Sequence, residues 1–175
     1  MPSHASFATF TERQMTQWVA HALGTMAVLA LPAAAHAAVS CQVAASGPAF
    51  GTYNPTNTSA TVANGTLTAT CTLTSGNSAT VTLTSSYSTG ASGTFSSRVM
   101  LSGSNRLSYN LYFDAAYTQI RGDGTGGSQT GSASISLTRA APTQEVQSTL
   151  YGRVTAGQDV APGTYTDTIT VTVTY

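Results

Sequence analysis

The chain contains no lysine, and its six basic and six acidic residues cancel to a formal net charge of +0. Charged residues make up only 7% of it, against roughly 25% in an average soluble protein. Neutralising phosphates takes a surplus of Lys and Arg, so a nucleic-acid binder is excluded. A polybasic membrane-surface segment and an acidic solvating tail are excluded by the same shortage. Histidine and tryptophan are scarce too: His4, His21, His36 and Trp18 all lie near the N-terminus, and beyond Ala37 there is none of either. Low charge does not mean disorder here, because 41% of the 175 residues are hydrophobic, enough for the core of one domain.

These absences bear on catalysis. Beyond Ala37 the basic groups are Arg98, Arg106, Arg121, Arg139 and Arg153, and the acids are Asp114, Asp123, Glu145, Asp159 and Asp167. A Ser or Cys nucleophile needs a His or Lys base, which this stretch lacks. Zinc and most transition metals want His or several Cys, and only Cys41 and Cys71 are present. Paired carboxylates could still do glycosidase or aspartic-protease chemistry. The five acids are scattered, however, and none sits in a recognisable catalytic loop. No enzyme activity, cofactor or metal is expected.

The N-terminal part reads as an export signal. From Trp18 to Ala35 runs the apolar segment WVAHALGTMAVLALPAAA, followed by Ala35-His36-Ala37, a small-x-small site of the kind a signal peptidase cuts. The run is too short and too Ala-rich for a membrane span of about 20 strongly apolar residues. Only Arg13 supplies positive charge upstream, and Met15 is an alternative start. The expectation is cleavage between Ala37 and Ala38, giving a mature domain of residues 38–175 with no membrane span; an uncleaved anchor is the alternative. In that domain 27 Thr and 19 Ser make up a third of the residues. Two cysteines suit an oxidising compartment. A Cys41–Cys71 bridge would close a loop of about 30 residues and contribute roughly 3–4 kcal/mol in the chain-entropy model; two free structural thiols are the alternative.

What remains is all β. No stretch after Ala38 shows a 3.6-residue apolar period; short β-branched and aromatic runs alternate with Gly, Ser, Asn and Pro clusters, the pattern of a sandwich or barrel. Strands are predicted at Cys41–Ala45, Thr66–Thr74, Ala79–Ser85, Arg98–Leu101, Leu107–Asp114, Ser132–Arg139, Ser148–Thr155 and Thr164–Tyr175. The last, TYTDTITVTVTY, places Thr at every even position and Tyr165, Asp167, Ile169, Val171, Val173 and Tyr175 at the odd ones. Period two puts all the Thr on one face and a mostly apolar set on the other, which belongs on a core. An ice-binding Thr ladder would need several stacked copies. A long terminal strand must be paired on both edges or leave open backbone donors and acceptors, which invites a strand from another chain.

Three segments carry a resemblance: AFGTYNP at 49–55, LSYNLYFDAAYTQIRGDGTGG at 107–127, and LYGRVTAGQDVAPGTYTDTITVTVTY at 150–175, together with Cys41 and Cys71. In this combination and order the chain resembles the spore coat protein U domain, a family that includes subunits of archaic, Csu-type chaperone–usher pili. The resemblance implies an immunoglobulin-like sandwich lacking its final strand. A periplasmic pilus chaperone would lend that strand, and the next pilin subunit's N-terminal extension would replace it at the outer-membrane usher. Tyr165, Ile169, Val171 and Val173 would line the acceptor groove, with Tyr175 and the C-terminal carboxylate as a chaperone anchor. Cys41 and Cys71 match the family's disulfide positions. Shaft subunits carry an apolar donor segment before the first cysteine. After cleavage only Ala38, Val39 and Ser40 would precede Cys41, too few for a groove roughly five residue pairs long. A minor or tip subunit, accepting a strand without giving one, is therefore expected over a shaft protein.

Other features have plain readings. Gly122-Asp123-Gly124-Thr125-Gly126-Gly127 follows a strand but opens no helix, so it is a glycine-rich turn rather than a phosphate loop. Tyr109, Tyr112, Tyr117 and Tyr151 read as strand packing, with a sugar-stacking patch as the alternative. Arg153 is expected to pair with Asp114 or Asp159. Two function classes remain: an exported pilus or coat building block, or a secreted coat or adhesive glycan-binding domain not built into a fibre. Both place the protein at the cell surface or outside it.

Overall fold

The computed structural model describes residues 37–175 and, before them, only the backbone pairings of Pro2–Ser3 and Ser6–Phe7. The predicted signal peptide falls almost wholly outside the described residues. From Ala38 on, the chain forms strands β1 (Ala38–Ser46), β2 (Thr61–Ser75), β3 (Ser78–Tyr87), β4 (Arg98–Ser102) and β5 (Asn105–Tyr112). It continues with β6 (Gly131–Thr138), β7 (Thr143–Val154), β8 (Thr168–Ile169) and β9 (Val171–Thr174). Seven of the eight predicted strands are present, most of them longer at their ends than read from the sequence; the eighth, Thr164–Tyr175, is broken into the short β8 and β9.

Period two explains the layers. Along β2, Gly65, Leu67, Ala69 and Cys71 are buried while the residues between them are not; along β6, Ile135 and Leu137 are buried between exposed serines. Such strands have one wettable face and one that needs a partner sheet. The two sheets that result have the orders β1-β2-β7-β5-β4 and β9-β3-β6, and the strand pairs within them are antiparallel. Packed face to face they make an immunoglobulin-like sandwich. Tyr109, Leu111 and Leu150 from the larger sheet meet Tyr87, Ile169 and Val171 in one core cluster, and Ala69 and Cys71 meet Leu83 and Ile135 in a second.

The C-terminal strand departs from the expected single ladder. Its side-chain alternation holds: Tyr165, Asp167, Ile169 and Val171 are buried and every Thr from Thr164 to Thr174 is exposed. Its backbone, however, changes sheets. Thr166 bridges Leu101 on the edge of the larger sheet, whereas Val171–Thr174 pair with β3 in the smaller one. The switch is held by Asp167, whose carboxyl oxygens accept from the Ala91 amide at 2.9 Å, the Thr168 amide at 2.8 Å and the Tyr109 hydroxyl at 2.7 Å. That carboxyl group lies against Gly90, at φ +64°, where a Cβ would collide with it. Asp167 is thus a buried exception on the apolar face, with its oxygens satisfied as burial demands.

Cys41 and Cys71 form a disulfide directly across the β1–β2 pair, with Cα atoms 4.0 Å apart.

Candidate functional site

The sandwich has an open side, bounded by two edge strands. β1 ends the larger sheet and β9 ends the smaller one. The short Cα spacing at Cys41–Cys71 is that of a non-hydrogen-bonded antiparallel pair, whose N–H and C=O groups point away from the partner strand. Val39, Val43 and Ala45 share that parity, so β1 turns a row of backbone groups outward at its odd positions. On the other strand, the Ser88 amide donates to the Thr170 carbonyl at 2.9 Å. Even positions of β9 therefore face β3, and Val171 and Val173 present their backbone groups to the free edge. The Tyr175 hydroxyl accepts from the Cys41 amide at 3.4 Å, bringing the two edges together at one end. The β8 backbone, just before β9, is paired in parallel by Ser6–Phe7.

Side chains at the same odd positions point inward, yet burial is incomplete. Val39, Cys41, Val43 and Ala45 are only half-buried, and so is Val173. A cavity of about 380 Å³ lies between the sheets. Leu67 and Ala69 of β2 and Val146 and Ser148 of β7 line one side, and Leu83, Ala133 and Val173 the other, with the polar Gln119, Gln129, Thr130 and Ser132 also lining it; no residue of β1 does. Val39, Val43 and Cys41 pack instead against the second core cluster.

The residues expected to line a groove are not all at this open side. Val173 lines the cavity; Tyr175 does not, and is 57% exposed. Ile169 and Val171 lie in the closed core. Tyr165 is buried at the far end, where its hydroxyl donates to the Ala161 carbonyl at 2.7 Å beside a smaller cavity lined by Tyr53, Leu107 and Val160. The sheet switch separates Tyr165 from the rest. Val39, Val43 and Ala45, the half-buried inward row of β1, were not among the residues expected at the groove, although Ala38–Ser46 alternates with the same period of two.

Two buried guanidinium groups brace the rest of the sandwich. Arg98, fully buried, donates to the Ser88 carbonyl (2.9 Å), the Asn110 amide oxygen (2.7 Å) and the Arg121 carbonyl (2.7 Å). Arg121 donates to the Tyr112 and Thr149 carbonyls, the Ser148 hydroxyl and the Tyr87 hydroxyl, and lies 3.9 Å from the Phe113 ring centroid. Burial lowers the pKa of both from the usual guanidinium value.

The buried phenols shift the other way. Burial pushes the Tyr109 hydroxyl well above the ordinary phenol range, and the adjacent Asp167 carboxyl group adds to it. Burial raises Tyr87 too, opposed by Arg121. A phenol with a raised folded pKa contributes fully below its unfolded value near 10; as pH climbs further the unfolded chain ionises first and the contribution is lost. With no His or Lys in residues 38–175, the melting temperature is expected to stay flat from about pH 6 to 9 and to fall above about pH 10. Thermal scans across that range check it, and a decline already complete by pH 9 contradicts it.

The glycine-rich loop is a turn: Thr125 donates to Asp123 through its amide (2.9 Å) and hydroxyl (2.7 Å), holding that carboxyl group below the usual carboxylate range. Among the described residues no group of three or more His, Cys, Asp or Glu could hold a metal ion, and no helix is long and apolar enough to cross a membrane. Arg153 does not make the expected carboxylate pair; its guanidinium lies 5.4 Å from the Tyr117 ring centroid.

Comparison with known proteins follows from this geometry. Residues 25–172 match the family described as Spore Coat Protein U domain. No curated protein matches the chain. Among solved structures, one similar chain comes from the CsuC–CsuE chaperone–tip adhesion subunit pre-assembly complex of archaic chaperone–usher Csu pili of Acinetobacter baumannii. The similarity has 16% sequence identity and a TM-score of 0.48, covering 79% of this chain and 40% of that one.

Proposed function

Because the chain belongs to the Spore Coat Protein U domain family, we propose that it is an exported structural subunit of a surface pilus or coat, assembled by donor-strand complementation. One observation carries this reading: two edge strands, β1 and β9, turn backbone donors and acceptors toward the same open side, where the inward apolar side chains Val39, Val43, Ala45 and Val173 are only half-buried. A strand laid along that side would complete both ladders, and its inward side chains would cover those residues. Hydrogen bonding and apolar burial would then act together, as in β-augmentation. Val173 and Tyr175 lie along one edge of this open side, with Val39, Val43 and Ala45 along the other. Ile169 and Val171 support the groove from beneath, and Tyr165 anchors the far end of the same strand.

The partners on this reading are a periplasmic chaperone that supplies the first donor strand, an outer-membrane usher, and other pilin subunits. Residues 1–37 are the cleaved signal and residues 38–175 the domain. Since β1 begins at Ala38 and is paired with β2 from there on, cleavage after Ala37 leaves no free N-terminal segment to donate. The protein then accepts a strand without giving one, as a tip or terminating subunit does. Mass spectrometry of the exported form is expected to find Ala38 at its N-terminus.

The test is a synthetic donor peptide of alternating apolar residues added to the exported protein. At a concentration 100 times its Kd, it is expected to stabilise the fold by about 2.7 kcal/mol. It should also protect the amides of Val39, Val43 and Val173 from hydrogen exchange. A control peptide with Asp at its central inward position should do neither. A melting temperature indifferent to the apolar peptide overturns the proposal.

A further inference from the structure

The outer face of the larger sheet carries a cluster that neither the core nor the open side uses. Strand register sets Asn64, Tyr151 and Tyr112 side by side, and Val62, Arg153 and Asn110 in the row two residues away. Residues two apart on a strand share a face, so Tyr151 and Arg153 project together. Onto this face the 114–119 turn lays Tyr117. Its ring meets Tyr112 edge-on, with centroids 5.5 Å apart, and the Arg153 guanidinium lies 5.4 Å from its centroid.

The turn is built to hold that ring in place. The Asp114 carboxylate accepts from the amides of Thr118 at 3.1 Å and Gln119 at 2.8 Å, and the Tyr117 amide donates to the Asp114 carbonyl at 3.1 Å. Tyr117 has φ +59°, the single non-glycine residue with positive φ among those described. A bulky residue in the left-handed region is strained, and persists only where its surroundings over-determine it.

Arg153 differs from its buried counterparts. Arg98 and Arg121 direct their donors to protein oxygens, whereas half-exposed Arg153 lies against a ring, with no carboxylate in ion-pair range among the described residues. A guanidinium presents paired N–H groups in a fork that fits a carboxylate bidentately. Aromatic faces beside it suit the C–H face of a sugar ring, and the exposed Asn64 amide can both donate to and accept from hydroxyls.

The geometry points to a binding site for an acidic saccharide, a pyranose bearing a carboxylate as uronic acids do. Tyr117 and Tyr151 offer their faces to the ring while Tyr112, edge-on to Tyr117, braces it; Arg153 takes the carboxylate and Asn64 a hydroxyl. Tyr109 has no part in it, being buried against Asp167. The site lies on the opposite face of the sheet from the cavity, so it does not depend on strand complementation.

The experiment titrates the full exported chain with a trimer of galacturonic acid and, separately, with a neutral trimer of galactose, followed by tyrosine fluorescence and ligand-observed NMR. The acidic trimer is expected to bind, more weakly at high salt, and the neutral one to bind at least about tenfold less well. Arg153→Gln is expected to weaken the acidic trimer about tenfold. Tyr117→Gly, which keeps the left-handed backbone but removes the ring, is expected to do the same. Circular dichroism confirms the fold of each variant; should one not fold, the other decides the matter. No binding of the acidic trimer, equal binding of the neutral one, or unaltered binding by a folded variant overturns the inference.

Discussion

Replacing Arg121 by methionine is expected to cost about 3–5 kcal/mol of unfolding free energy, read as a lower urea midpoint with an unchanged slope. The side chain is 1% exposed, so water cannot take over its role. Its Nη2 donates to both the Ser148 hydroxyl and the Thr149 carbonyl at 2.6 Å, its Nε to the Tyr112 carbonyl at 3.2 Å, and its Nη1 to the Tyr87 hydroxyl at 3.1 Å. These partners lie on β7, β5 and β3, so one guanidinium ties both sheets to the long 113–130 connection. Methionine fills the space but removes the guanidinium donors from the Tyr112 and Thr149 carbonyls and from the Ser148 and Tyr87 hydroxyls, a buried acceptor left unsatisfied costing about 1–3 kcal/mol. The Nη2 of Arg98 donates to the main-chain carbonyl of residue 121, a bond that this substitution leaves in place. Arg139→Met is the control: its Nε reaches only the Gly76 carbonyl, at 3.3 Å and in an exposed position, so a change within about 0.5 kcal/mol is expected. A loss below about 1 kcal/mol at Arg121 would mean that the freed carbonyls find other donors.

Those arginines also mark where sequence reading stops. Strand positions were legible because side-chain period, breakers and composition are local properties. Thr164–Tyr175 shows both the reach and the edge of that legibility. Alternation correctly assigned the residues from Thr164 to Thr174 to an inner or outer face, since period two follows from the strand backbone itself, whereas the terminal Tyr175 is exposed. It could not reveal that the strand leaves the larger sheet at Thr166 and joins the smaller one at Val171, because a change of hydrogen-bonding partner leaves the alternation intact. In the sequence Arg98 and Arg121 are only two of five basic groups, because their partners are mostly main-chain carbonyls, which every residue has and no motif encodes. Arg153 was given a carboxylate partner because opposite charges invite pairing on paper; the register instead sets it in a row with Val62 and Asn110, and the turn brings Tyr117 over it.

The scarcity of charge acquires a structural meaning from the same observations. Two of the five arginines beyond Ala37 are buried as braces, and Asp167 is consumed at the sheet switch. What remains outside is largely hydroxyl and amide, with Thr carpeting the outer face of the last strand. A neutral, hydroxyl-rich surface suits repeated close contact between copies, where like charges would repel. It also makes a lone half-exposed cation among tyrosines more conspicuous than it would be on an ordinary surface.

Removing the disulfide, as Cys41→Ala with Cys71→Ala, is expected to destabilise the protein by about 3–4 kcal/mol, the chain-entropy value for a loop of this size. Where that loss falls follows from topology. β1 is an edge strand, hydrogen-bonded along one side only, and its inward residues are half-buried small or branched side chains. Few other interactions hold it, so its ladder amides, at Ser40, Gln42 and Ala44, should lose hydrogen-exchange protection before those of β2 or β7. Register is equally at stake. Cys41 opposite Cys71 fixes which residues of β1 face inward, and a one-residue slip would turn Val39, Val43 and Ala45 out to solvent. The cross-link therefore sets the parity of the backbone groups that β1 shows to the open side. In the doubly substituted protein the donor peptide should bind markedly less well, even where the rest of the fold survives. Urea titration with exchange measurements, with and without the peptide, tests both parts. Retention of full stability and of β1 protection would show that pairing with β2 alone holds the strand.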